Sequence, residues 1–350
     1  MRKPIIYISL VLVISIVIIL VFLFSDENNA KNGFERNIKA LDFSVIKTID
    51  LPSKSLLFSQ NFGDSYYLQD YSNPVFLFSI DNNLSKLRSV NLKLPLLNIK
   101  NGGNIAFIDT SIYVTDGLNN VLDIYYLGTA RNKHTRLTNK WLDQLNPLSP
   151  RTLVAREVVI QNNAPKRRIT KIEISKPHLS TIFELDEKAD EYFSNDGLLK
   201  YDKSSSKLIY THFYKGEFLC LDTNLQIIYR GKTIDTIRTA KMKLARTIKE
   251  EGQKVNTKVT QANPPKIVNR NYTISKGFIF IMSGLKSDNE DYYGFRNNQI
   301  IDVYKLSTGK YIYSFYLPKY KGYKLRDIRI TGVKILGLYD KVLVIYTLKK

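Results

Sequence analysis

Side chains able to do chemistry are scattered in this sequence. Its three histidines, His134, His178 and His212, stand apart, and no H-E-x-x-H, paired C-x-x-C, P-loop or G-x-S-x-G pattern surrounds them. His212 ends an apolar strand run and reads as a packed residue. The single cysteine, Cys220 in GEFLCLD, excludes an internal disulfide and reads as a core strand residue. The densest carboxylate set is SDNEDYYGF (Ser287–Phe295), with Asp288, Glu290 and Asp291. Oxygen-rich loops can hold Ca²⁺, but the EF-hand spacing is not met and a solvated loop is the simpler reading. The sequence names no catalytic residue, metal or cofactor.

Basic residues are better organised. Residues 231–263 hold eight Lys or Arg against three Asp or Glu. Within them TIRTAKMKLARTIKEEG predicts a helix that starts after Asp235, a natural N-cap, and stops at Gly252. Its Arg238, Lys241, Lys243, Arg246 and Lys249, together with Tyr292, Tyr293 and Arg296 farther on, form the candidate binding set. Such a set suits an anionic partner; the competing reading is a surface helix packed on its neighbours.

Charge and the N-terminus bound the partners. Ile5 to Phe24 is an uncharged run of 20 residues, the length a helix needs to cross a bilayer. Arg2 and Lys3 precede it, and Asp26 and Glu27 follow. The positive-inside rule predicts a single-pass anchor (1–25) with a cytoplasmic N-terminus and an extracytoplasmic, periplasmic remainder. A cleaved signal peptide is the alternative, although FLFSDENNAKNG has no small-x-small site beside the run. The net charge is +20. It favours an anionic envelope component or an envelope protein, and export argues against nucleic acid.

From Asp42 onward the pattern is short alternating runs separated by turn signals, and 23 Tyr with 17 Phe favour strands. VFLFSIDNNLSKLRSV (75–90), EFLCLDTNLQIIYRG (217–231) and IIDVYKLSTGKYIYSF (300–315) are each a strand, a polar turn and a second strand. The first two share Asp-x-Asn-Leu, at 81–84 and 222–225; the third turns at Gly309, suited to positive φ. Other strands precede them: SYYLQ, KLIYTHF and GFIFIMS. SIYVT with VLDIYYL, TLVAREVVIQ with RRITKIEIS, and KILGLYD with KVLVIYTL complete six strand pairs. A period of roughly fifty residues predicts an all-β, six-bladed β-propeller over 42–350, behind a tether at 26–41. The last pair ends the chain one strand short. DFSVIKTIDL (42–51) belongs to no other unit and is expected to close the ring as that blade's outer strand.

IYVTDGLNNVLDIYYL (112–127) resembles an NHL repeat: apolar strand, Asp, small residues, Asn, second strand. The match is good there and poor elsewhere, so the resemblance implies the broad TolB-like and NHL-like propeller class and no particular activity. The whole chain is similar to uncharacterised membrane-tethered propellers of Bacteroidetes-type bacteria.

Topology adds an expectation. In a four-stranded antiparallel blade, the link from second to third strand and the link to the next blade emerge on one face. The basic insertion, between blades four and five, and GLKSDNEDYYGFRNN (284–298), within blade five, should therefore share a face. The tether enters an outer strand at the opposite face, which would turn the insertions away from the bilayer. The resulting reading is a non-catalytic binding or scaffold module; the alternative is a propeller hydrolase or lyase with a site in the central funnel.

Overall fold

Short strands with both faces apolar are stable only when each sheet is covered on both sides, and a ring of sheets achieves this. The computed structural model describes residues 7, 10–18, 31–59, 65–70, 72, 76–81, 83–90, 104–115, 121–126, 132–136, 141–161, 164–176, 180–185, 191–240, 242–251 and 254–349. Strand β1 (Phe43–Asp50) belongs to the last blade. Blade one is β2 (Leu56–Phe58), β3 (Ser65–Asp70), β4 (Leu77–Asp81) and β5 (Leu87–Val90). Blade two is β6 (Asn104–Ile108), β7 (Ser111–Thr115), β8 (Val121–Tyr126) and β9 (Asn132–Arg136). Blade three is β10 (Trp141–Ser149), β11 (Thr152–Gln161), β12 (Ala164–Glu173) and β13 (Ser180–Glu184). Blade four is β14 (Gly197–Asp202), β15 (Lys207–His212), β16 (Glu217–Leu221) and β17 (Ile227–Lys232). A separate hairpin follows, β18 (Leu244–Glu251) with β19 (Lys254–Gln261). Blade five is β20 (Asn269–Ser275), β21 (Phe278–Ser283), β22 (Asn298–Lys305) and β23 (Tyr311–Pro318). Blade six is β24 (Asp327–Thr331), β25 (Lys334–Tyr339) and β26 (Val342–Leu348), with β1 outermost.

The expected closure is present. β1 pairs antiparallel with β26 from Phe43↔Leu348 to Asp50↔Val342, with a bulge between Val45 and Lys47. An apolar layer fills each of the six gaps between neighbouring blades. Leu77 of blade one meets Ile105 and Phe107 of blade two. Ile209 and Cys220 of blade four meet Ile281 and Tyr304 of blade five, so Cys220 is the core residue the sequence suggested. Leu336 and Leu343 of blade six meet Leu56 and Leu68 of blade one, completing the ring.

The repeat's turn works differently from expectation. Asp81 and Asp222 do cap it: Asp222 Oδ1 accepts from the backbone N–H of Asn224 and of Gln226, both at 2.8 Å. The residue at positive φ, however, is not the asparagine but the leucine after it, Leu84 at 55° and Leu225 at 63°. Both leucines are buried in the layers between blades, and that burial offsets the backbone cost. Gly309 has the expected positive φ, 68°. The corner at 116–120 joins β7 to β8 as the second-to-third link of blade two, and lies outside the described residues.

The helix expected in the basic insertion is not formed. Residues 244–261 make the hairpin β18–β19, registered from Leu244↔Gln261 to Glu251↔Lys254. Val255, Thr257 and Val259 alternate along β19, and a strand partner of that β-branched kind outweighs the helical propensity of the Lys- and Arg-rich half. Gly252, read as a helix stop, lies outside the described residues. Asp235, read as an N-cap, instead accepts from the Ile237 N–H at 2.9 Å in a local turn. The helices are α1 (residues 10–18), α2 (Glu191–Ser194) and α3 (Tyr292–Asn297). Among the described residues no helix is long and apolar enough to cross a membrane. The predicted span over 5–24 lies partly outside them.

The two insertions do share a face, and the chain before β1 joins them there. Phe34 packs with Val268 at the end of the first insertion and Leu285 at the start of the second, against Ile234 and Ile237. Asp288 accepts from the backbone N–H of Asn32 (2.7 Å) and Gly33 (3.0 Å). Arg36 is 3% exposed and donates to Glu290 at 2.5 Å and Asp302 at 2.7 Å. Asp302 lies on the same side of β22 as Tyr304, the side facing blade four. The chain then crosses the outer edge of blade five, where Ile38 bridges Ser314, and Phe43 stacks 5.6 Å from Phe315 on the side facing blade six. Residues 31–41, expected as tether, thus clasp blade five from the insertion face, not from the opposite one.

Burial pushes the Arg36 guanidinium down, but the joint pull of Asp302 and Glu290 outweighs it and holds it above its ordinary range. Arg36→Ala leaves two buried carboxylates facing each other and is expected to cost about 3–5 kcal/mol. Urea unfolding of the variant beside the parent measures this; a midpoint unchanged within error would show that the clasp is not structural.

Candidate functional site

Two links of blade five, both on the insertion face, enclose a cleft of about 350 Å³. One is the second-to-third link with α3. The other is the connection from β23 to β24. Arg270 at the start of β20, Arg296 on α3, and Lys319 and Lys324 on the connection line it, with Tyr292 and Phe295 as apolar walls. No Asp or Glu is among the lining residues. Arg270 is exposed at its end of β20, and the desolvation its neighbours impose is only partial, holding it below the ordinary guanidinium range. An anion seated between these cations would gain charge-assisted hydrogen bonds and relieve their mutual repulsion.

Local structure fixes the walls. Asp291 caps α3 by accepting from the Gly294 N–H at 2.7 Å. Asn298 Nδ2 closes the far end on the Gly294 carbonyl at 2.8 Å. Gln299 is buried and donates to the Ser283 and Ile300 carbonyls, holding the base of the link. Arg296 stacks over Tyr292 at 5.9 Å from the ring centre.

The candidate residues divide. Tyr292 and Arg296 line the cleft. Tyr293, on the same helix, is 73% exposed and points outside the lining. Arg238 braces the root of the insertion, donating to the Gly216 carbonyl at 2.7 Å and the Thr233 carbonyl at 3.2 Å. Lys243 is exposed just before β18. Arg246 and Lys249 lie on β18, opposite Val259 and Asn256. Lys241 lies outside the described residues. Arg270, Lys319 and Lys324 escaped sequence reasoning, although KYKGYK (319–324) carries the alternation of cations and tyrosines that would have found two of them.

The acidic loop is structural. Asp288 holds the chain before β1, Asp291 caps α3, and Glu290 accepts from Arg36, from the Ser287 N–H at 2.6 Å and from Tyr316 Oη at 2.7 Å. Among the described residues no three His, Cys, Asp or Glu are gathered to hold a metal. His212 is buried, and desolvation pushes its pKa well down. His134 bonds Asp123 at 2.7 Å, and His178 lies outside the described residues.

The inner strands carry a polar belt around the channel. Inner strands of different blades do not pair with each other, so side chains take up their backbone groups. Asp327 accepts from the Phe58 N–H of blade one and from Asn271 Nδ2 of blade five, both at 2.8 Å. Lys200 of blade four reaches Asn271 Oδ1 at 2.9 Å and the Tyr272 carbonyl. Desolvation lowers Lys200 to about 8, against the pull of Asp327 and with the repulsion of Arg329. Unfolded, it titrates near ~10.4. Between these values the unfolded chain holds a proton that the folded one has released, so this group makes stability rise with pH across that window. Lys200→Met should remove that rise, as read from urea midpoints taken below and above it; an identical pH dependence in parent and variant would contradict this.

No protein-family model matches the sequence, and no curated protein is similar to it. Solved structures are similar in fold over most of the chain. A catalytically inactive virginiamycin B lyase from Staphylococcus aureus with quinupristin shares 14% identity, with 88% of this chain and 100% of that one covered, at a TM-score of 0.50. A DUF4221 family member from Bacteroides vulgatus shares 12%, covering 90% and 99%, at 0.49. A structural genomics protein of unknown function from Bacteroides thetaiotaomicron shares 10%, covering 93% and 75%, at 0.49. At such identities the likeness concerns fold alone. With its six blades, six interblade layers and strand β1 as the closing edge, the chain folds as a six-bladed β-propeller.

Proposed function

We propose that this chain is a membrane-anchored, extracytoplasmic propeller that acts without catalysis, binding an anionic envelope component or the acidic group of an envelope protein in the blade-five cleft. The observation that carries the reading is four cationic side chains around one cleft with no carboxylate in its lining. Carboxylate and phosphate groups suit such a site, because guanidinium groups donate in paired, planar fashion to their oxygens. Tyr292 and Phe295 give the cleft an apolar side, which favours a ligand whose anionic group is attached to a larger body. The anchoring half of the reading rests on the uncharged run over 5–24 and its flanking charges.

Calorimetric titration of the full chain in detergent with citrate and with inorganic phosphate tests the cleft. Binding should weaken steeply with added salt. The double variant Arg270→Glu, Lys324→Glu should bind at least tenfold more weakly, since each charge-assisted hydrogen bond contributes about 1.5–3 kcal/mol. Equal affinity in parent and variant would remove the cleft from the mechanism.

A further inference from the structure

The route of residues 31–39 bears on how the propeller faces the bilayer. Asn32 and Gly33 are together held at five points on the insertion face. The Asn32 N–H donates to Asp288, its side-chain amide donates to the Lys286 carbonyl (2.8 Å) and accepts from Lys266 Nζ (2.8 Å), and its carbonyl accepts from Thr236 Oγ1 (2.6 Å). The fifth hold is the neighbouring Gly33 N–H on Asp288. Lys286 and Asp288 belong to the second-to-third link of blade five, and Thr236 and Lys266 to the insertion between blades four and five. The chain therefore reaches the ring on the face that carries both links.

Length then decides the orientation. The apolar run ends at Phe24, so seven residues, 25–31, separate it from Asn32. Fully extended, the eight Cα–Cα steps from Phe24 to Asn32 span at most about 29 Å. β22 has eight residues. At the strand rise such a blade is about 27 Å tall before the links at its two ends are added. A connection of that length, which would also have to pass round the outside of the ring and both sets of links, falls short of a bilayer on the other side. It does reach a bilayer lying over the insertion face.

The hairpin β18–β19 is rooted on that same face by the packing of Ile237 and Val268 against Phe34. Its strands have eight residues each, a length comparable to the connection. From 243 to 261 it carries Lys243, Arg246, Lys249, Lys254 and Lys258 against Glu250 and Glu251. Basic segments next to a membrane are drawn to anionic headgroups within a Debye length of the surface.

We propose that the insertion face of the propeller looks at the bilayer and that the hairpin β18–β19 rests against anionic lipid headgroups. This rests on the anchoring half of the function proposed above and not on ligand binding in the cleft. It reverses the orientation that topology alone suggested.

The full chain, reconstituted into vesicles, tests it by energy transfer to acceptor dyes on lipid headgroups. Donor dyes go on Lys243→Cys, beside the hairpin, and on Ser307→Cys, exposed in the third-to-fourth turn of blade five on the opposite face. Cys220 is buried and stays unlabelled. In phosphatidylcholine vesicles, transfer from position 243 should exceed that from 307 severalfold. Adding phosphatidylglycerol should raise it further at 243 alone. The combined variant Lys249→Glu, Lys254→Glu, Lys258→Glu should cancel that rise. Stronger or equal transfer from 307 overturns the orientation. A signal at 243 indifferent to phosphatidylglycerol overturns the headgroup contact. Loss of the chain from vesicles on alkaline extraction strikes the anchoring reading itself, a failure distinct from the other two.

Discussion

A ring of sheets holds only if its last sheet meets its first, and here that meeting rests on one pairing, β1 with β26. The chain itself carries β1 on into β2 of blade one through residues 51–55, but only hydrogen bonds and packing hold β1 to β26. Without β1, blade six would end in an open edge, and the apolar layer between blades six and one would lose the support of Leu51. The remaining structure follows from closure. Blades standing face to face bury both sides of every sheet. Their inner strands are splayed around the channel, and their backbone groups are met by Asp327, Asn271 and Lys200. The links are pushed to the two ends of the ring, where the cleft forms between two of them.

Buried and half-buried arginines hold the junctions that the apolar layers leave open. Arg36 ties the segment before β1 to blade five. Arg156 ties blade three to blade four by pairing with Asp143 and Asp196. Arg326 donates to the carbonyls of Leu56, Tyr339 and Asp340, tying blade six to blade one. Removing charges from water is costly, so such groups add less net stability than their short distances suggest. What they contribute is a fixed register: the guanidinium matches one arrangement of oxygens, whereas leucines tolerate several.

The architecture was legible because its signals are local. Alternation marks strands, Asp-x-Asn-Leu marks the repeated turn, and a strand too few at the C-terminus implies an N-terminal closing strand. Features set by distant partners were not legible. Leu244 to Glu251 has good helical propensity, and only β19, which alternates β-branched residues, makes it a strand. Leu84 and Leu225 take the positive φ that the adjacent asparagines would accept more readily, because their side chains have a core to fill. The triad of Arg36, Glu290 and Asp302 joins residues more than 250 positions apart, which no spacing rule reports. The cleft likewise draws Arg270, Arg296 and Lys324 from separate segments. Tyr292 and Arg296 were legible in the sequence as candidates, but neither the helix α3 that carries them nor the cations facing them were.

The closing strand also sets an order of events during synthesis. β1 is among the first segments of the ring to be made, and its partner β26 is the last. Until β26 is made, β1 has no strand to join, and until β23 is made, Phe34 and Arg36 have no complete blade five to clasp. Long-range pairings of this kind form late and leave sticky edges exposed meanwhile. The bulge at Val45–Lys47 and the charge on Lys47 are devices that blunt an unpaired edge. A strand that must wait for nearly the whole chain is thereby made a poor template for any other partner.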